Sequence, residues 1–206
     1  MKFDPRLCVV IGPTDTKGRD VVAVALAAVA GGATMIQLRW KDAADRDLEA
    51  LARRLIEALG ASGVPLIVND RAEVARASGA AGVHLGQADM APAQARAMLG
   101  DGAIIGWSID RLELATRIDD AVDYVGIGPI KPTATKSDHK TPLGVQGFGT
   151  IRAAVRRPAM AIGGVTAAEA SPLRSAGADG LAVVSAICGA DDPETAARGL
   201  RTAFGR

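Results

Sequence analysis

Three cations and two carboxylates in this sequence are placed where they could act together on a phosphorylated ligand. Arg39, Lys41 and Lys136 suit a multiply charged anion such as pyrophosphate. Asp70 and Asp89 follow adjacent apolar runs and could share a Mg²⁺, an ion usually held by one or two carboxylates plus phosphate oxygens. Taken singly, each of these charges reads first as a solvated side chain at the start of a loop; their convergence on one rim of a barrel is what favours the shared role. Gly163-Gly164, followed by Thr166, offers a second anion setting. Glycines allow close backbone approach, and a helix opening at Thr166 would present N–H groups to a phosphate. The plainer reading is a tight turn. Two anion pockets on one rim, one of them with a metal, imply two phosphorylated ligands.

The remaining polar residues carry less. His84 lies on a short apolar run and reads as a packed histidine before it reads as a base, and His139 reads as solvated. Gly12-Pro13-Thr14-Asp15 could reach the same rim but has the look of a simple turn. No Ser/His/Asp or Cys/His spacing supports a nucleophile. Cys8 and Cys188, in LCVVI and VSAICG, read as buried thiols of a reducing compartment, neither a disulfide nor a zinc site.

Short apolar runs must position these groups. They cover Leu7–Ile11, Thr34–Arg39, Pro65–Asn69, Gly82–Leu85, Ala103–Trp107, Asp123–Ile127, Ala159–Ile162 and Gly180–Val184. Continuous runs suit strands covered on both faces, as in parallel sheets. Helical patterns lie between them, at Val21–Ala30, Asp45–Ala61 and Ala91–Leu99. A further pattern spans Ala167–Ala176, with Thr166 and Glu169 forming a capping box. The polar residues gather at the C-terminal ends of the runs, where barrel enzymes place their sites. Eight strand–helix units of about 26 residues fit a single α/β domain over 1–206, a compact (β/α)8 TIM barrel. A doubly wound open sheet is the alternative. Residues 128–147 form the longest aperiodic stretch, a length that marks functional loops.

Composition narrows the function. A net charge of +1 over 206 residues gives no electrostatic footprint for nucleic acid, and 3% aromatics leave few stacking platforms. No apolar run reaches about 18 residues, so no membrane span is expected. The expectation is a cytoplasmic protein acting on small molecules, with a homodimer left open.

The motifs QLRWK (37–41), VNDR (68–71), GVHLGQADM (82–90), GWS (106–108), DYVGIGPIKPTATK (123–136), AIGGV (161–165) and GADGLAVVSAI (177–187) span nearly the whole chain. In order and spacing they resemble the thiamine-phosphate synthase family. The resemblance implies a (β/α)8 barrel, a Mg²⁺ cofactor, and condensation of a pyrimidine diphosphate with a thiazole phosphate, releasing pyrophosphate. Carried over by position, the segment Gln37-Leu38-Arg39-Trp40-Lys41 and Asn69 would hold the pyrimidine diphosphate, with Lys136 on its pyrophosphate and Ser108 against the pyrimidine. Asp70 and Asp89 would hold the metal. Thr133-Ala134-Thr135 would meet the thiazole phosphate, whose phosphoryl group would rest on Gly164 and the Val184-Ser185 turn. Lys136, Arg39, Lys41 and Ser108 would be the catalytic set.

Two positions depart from the family pattern. Trp40 stands where an acidic residue is usual, and Asp110 where a histidine is usual. Asp110 is expected to N-cap a helix over Arg111–Ile118. Two rival functions share the fold: a thiazole tautomerase, needing neither the diphosphate cations nor the metal pair, and a non-catalytic thiazole-phosphate-binding paralogue.

Overall fold

A computed structural model describes residues 3–132 and 141–205. Eight parallel strands close on themselves: β1 (Leu7–Ile11), β2 (Met35–Leu38), β3 (Leu66–Asn69), β4 (Gly82–Leu85), β5 (Ile104–Ile109), β6 (Tyr124–Ile127), β7 (Ala159–Ile162) and β8 (Gly180–Val183). Closure is decided at β1, which pairs with β2 through Cys8↔Met35 and with β8 through Cys8↔Ala182. An open doubly wound sheet would leave β1 without one of these neighbours. The chain is a (β/α)8 barrel.

Each strand sorts its side chains by parity. In β1, Cys8 and Val10 point into the barrel, joining Met35, Ile67, Ile104, Tyr124, Met160 and Ala182. Leu7, Val9 and Ile11 face the surrounding helices. This two-sided burial is why the strands read as unbroken apolar runs. Both cysteines are free and buried, as expected. Burial holds the Cys8 thiol far above its ordinary range and pushes Cys188 up to about 12.

The helices are α1 (Val21–Ala30), α2 (Asp45–Leu59), α3 (Ala72–Ser78), α4 (Pro92–Leu99), α5 (Leu112–Ala115), α6 (Gly144–Ala153), α7 (Ala167–Ser175), α8 (Ser185–Cys188) and α9 (Pro193–Phe204). Along α2, Leu48, Leu51, Leu55 and Leu59 form the buried stripe that its periodicity predicts. Helix α1 buries one face only and leaves Leu26 at 41% exposure. The end of the barrel opposite the strand C-termini is tied by two matching clamps. Arg96 pairs with Asp123 at 2.6 Å while Asp123 accepts from the Ile105 N–H at 2.8 Å. Arg152 pairs with Asp179 at 3.1 Å while Asp179 accepts from the Ala159 N–H at 2.8 Å. Among the described residues no helix is long and apolar enough to cross a membrane.

Candidate active site

The C-terminal ends of the strands surround a cavity of about 480 Å³. Arg39 and Lys41 reach it from the end of β2, Asn69 and Asp70 from β3, Asp89 from the loop after β4, and Ser108 from β5. Ser108, expected just past its strand, lies within it. Residues as far apart in sequence as Arg39 and Ser108 thus share one rim.

Asp70 takes the left-handed backbone conformation, φ +66°, which costs a residue with a Cβ about 1–2 kcal/mol. Its N–H donates to the His84 carbonyl at 2.8 Å, which holds that geometry against β4. Burial pushes the Asp70 carboxyl up to about 6, and the neighbouring Asp89 carboxyl adds to the rise, while Lys41 and Arg39 oppose it. Asp89 is aimed by the Gly86 N–H, which donates to its Oδ2 at 2.6 Å. Two carboxyls forced together in a partly dry cleft are a donor set that a hard dication would relieve. Among the described residues no third His, Cys, Asp or Glu completes a site with them.

Two residues that sequence reasoning left aside shape the cation side. The Arg71 guanidinium donates to the Lys41 carbonyl and to the Ala43 carbonyl at 2.6 Å, and pairs with Asp45 at 2.9 Å. It therefore ties the loop carrying Lys41 to the end of β3. The Gly12–Asp15 segment is more than a turn. A Cβ placed on Gly12 would lie 2.2 Å from the Arg39 carbonyl oxygen, so this loop packs directly on the Arg39 backbone. Burial raises the Asp15 carboxyl, and the charge of Arg39 pulls the other way. Only the glycine itself could have signalled this approach.

The second anion setting adjoins the first. A small cavity of about 40 Å³ is bordered by Gln37, Asn69, Gly163, Gly164, Val184 and Ser185. The Gln37 Nε2 donates to Asn69 Oδ1 at 2.8 Å, fixing both amides at its floor. Gly163 (φ +92°) and Gly164 (φ +68°) both need positive φ, and a Cβ on Gly163 would lie 2.7 Å from Pro129 Cα. The expected phosphate seat at the opening of α7 is corrected here. Thr166 does cap α7, but its N–H and Oγ1 donate to Glu169 Oε2 at 3.0 and 2.7 Å. Lys131 pairs with the same carboxylate at 2.8 Å. Against a burial penalty, these bonds from Lys131 and Thr166 bring Glu169 down to about 2. A carboxylate thus already occupies that helix start, whereas the first turn of α8 has no side-chain cap.

Other expected residues fall differently. Leu38 is fully buried in the layer between strands and helices, so its side chain faces away from the cavity. That corrects its inclusion with its neighbours at the ligand. Trp40 is half-buried and borders an adjoining cavity of about 420 Å³ with Lys41, Asp70 and Asp89. Asp110 does not cap a helix: α5 covers only Leu112–Ala115, is opened by Arg111, and has no side-chain cap bond. Asp110 instead borders the main cavity and pairs with Arg111 at 3.0 Å. Thr133, Ala134, Thr135, Lys136 and His139 lie outside the described residues. His84 is packed, as expected, yet its ring bridges Ser108 and Tyr124.

Residues 7–187 match the family model described as thiamine monophosphate synthase. The thiamine-phosphate synthase of Azorhizobium caulinodans is 48% identical over 97% of this chain and 95% of its own. That of Xanthobacter autotrophicus is 48% identical over 98% and 96%. The solved structure of thiamine phosphate pyrophosphorylase from Pyrococcus furiosus superposes with a TM-score of 0.87 at 32% identity, covering 98% of this chain and 96% of that one. With its closed barrel and its motifs in order, the chain belongs to the thiamine monophosphate synthase family.

Proposed function

We propose that this protein joins a 4-amino-2-methyl-5-hydroxymethylpyrimidine diphosphate to a thiazole phosphate, forming thiamine phosphate and releasing pyrophosphate. The observation that carries the reading is the pair of adjoining anion settings: Arg39 and Lys41 beside two carboxylates, next to the glycine-lined cavity at Gly164 and Ser185. Neither setting alone distinguishes a synthase from a phosphate binder.

In this reading Asp70 and Asp89 hold Mg²⁺, an assignment supported by the mutual repulsion of the two carboxyls. When bound, the ion would neutralise charge on the diphosphate oxygens. Arg39, Lys41 and Lys136 bind the diphosphate and stabilise the charge that grows as it leaves. The bond between the pyrimidine methylene carbon and the diphosphate oxygen breaks with its electron pair on oxygen. The aminopyrimidine ring delocalises the cation left behind. The thiazole nitrogen then gives its lone pair to that carbon and closes the new C–N bond. Gly164 and the Val184-Ser185 turn, with Thr133 and Thr135, anchor the thiazole phosphate so that its nitrogen is held near the carbon. Ser108 faces the pyrimidine. No side-chain nucleophile takes part, which agrees with the sequence. Product analysis of both substrates incubated with the protein and Mg²⁺ tests this: thiamine phosphate must appear, and unchanged substrates would overturn it.

A further inference from the structure

Tyr124 lies wholly inside the barrel, and among the described residues its hydroxyl has one hydrogen-bond partner, Nδ1 of His84 at 3.0 Å. The opposite ring nitrogen, Nε2, stands 2.8 Å from Oγ of Ser108, which borders the main cavity. The chain makes room for this row. A Cβ on Gly106 would lie 2.4 Å from His84 Nδ1 and 2.4 Å from the Tyr124 hydroxyl, and one on Gly126 would lie 3.2 Å from His84 Cε1. Glycines on β5 and β6 thus form the slot that holds the imidazole edge-on between Tyr124 and Ser108.

The direction of the hydrogen bonds follows from the buried end. A phenol has one proton, and a buried donor must spend it on the partner it has. Burial keeps the Tyr124 hydroxyl from ionising, so that proton is always present. Tyr124 therefore donates to Nδ1, and the imidazole proton resides on Nε2. Nε2–H then donates to Ser108 Oγ, and the serine proton turns to the open side. The reverse order, Ser108 to Nε2 and Nδ1–H to the phenol oxygen, would orphan the phenol proton in a dry interior. An imidazolium would do the same.

We infer that Tyr124 and His84 are positioning residues that fix Ser108 as a hydrogen-bond donor into the cavity, so that the substrate atom facing it is an acceptor. Naming that atom as part of the pyrimidine rests on the proposed function; the polarity of the row does not.

Ring ¹⁵N–¹H correlation spectra of ¹⁵N-histidine protein test the polarity without substrate, the two histidines being told apart with a His139→Gln variant. A proton on Nε2 with Nδ1 bare supports the inference, and the Nδ1–H form overturns it. Tyr124→Phe keeps the ring but removes the lock. It should lower kcat/KM for the pyrimidine diphosphate by about threefold to tenfold, the loss of one neutral hydrogen bond, and leave the thiazole-phosphate KM within about twofold. Added to Ser108→Ala it should cost nothing more, because both act through one hydroxyl. Additive losses would mark Tyr124 as mere packing and overturn the inference. Unmodified protein that releases no pyrophosphate would instead overturn the proposed function, leaving the spectra to decide the polarity.

Discussion

The Gly86 N–H donates to Asp89 Oδ2 at 2.6 Å, which turns the Asp89 carboxyl toward Asp70 across the ends of β3 and β4. The loop after β4 thereby spends a backbone bond on bringing two like charges together. Such an arrangement is unfavourable unless a cation joins it. Asp70→Asn and Asp89→Asn should each lower Mg²⁺-dependent turnover by about a hundredfold or more while leaving the circular dichroism spectrum unchanged. Near-normal turnover of both variants at limiting Mg²⁺ would contradict the metal assignment.

The same pair predicts a pH effect on the metal-free protein. Asp70 has a folded value of about 6 against 3.8 for the ordinary group. Between those values the folded state holds a proton that the unfolded chain has released, so stability rises as pH falls from 7 toward 5. Asp70→Asn, with no proton to gain, should be the more stable protein at pH 7, and the gap in Tm should close by pH 5. Saturating Mg²⁺ should reverse the order at pH 7. A gap independent of pH would contradict the account.

Much of this was legible in the sequence, and the limits are physical. The strands could be read because both their faces are buried, which leaves an unbroken apolar run. The positions of Arg39, Asp70 and Asp89 followed from their place at strand ends. What escaped depends on contacts across the fold. The grip of Arg71 on the loop of Lys41 spans 30 residues, and the approach of Gly12 to Arg39 has no local pattern. The seat at α7 is a different case. The Thr166/Glu169 capping box was visible, and it already placed a carboxylate where a phosphate was expected. The expected Asp110 cap is absent because α5 is a single turn beginning beyond Arg111, too short for periodicity to locate.

Closure of the α7 start by Glu169 can be tested directly. Glu169→Gln should cost about 1 kcal/mol of stability through the weakened cap and leave the KM for thiazole phosphate within about twofold. If the phosphate sat on that helix start, removing the negative charge would tighten it markedly, and a fall in KM of tenfold or so would show that it does.

In the proposed function Lys136 serves the leaving diphosphate. Lys136→Ala should lower kcat by about a hundredfold, roughly 3 kcal/mol of transition-state stabilisation, with little change in the thiazole-phosphate KM. Steady-state kinetics with each substrate varied in turn separate the two. A normal kcat with a raised thiazole KM would move this lysine to the other substrate.

The central claim is that two phosphorylated ligands meet on this rim and one loses its diphosphate. The most direct test follows pyrophosphate and thiamine phosphate together, with both substrates, in the presence and absence of Mg²⁺. The account predicts equal amounts of the two products, formed only when Mg²⁺ and both substrates are present. Binding or isomerisation of the thiazole phosphate with no pyrophosphate released would contradict it.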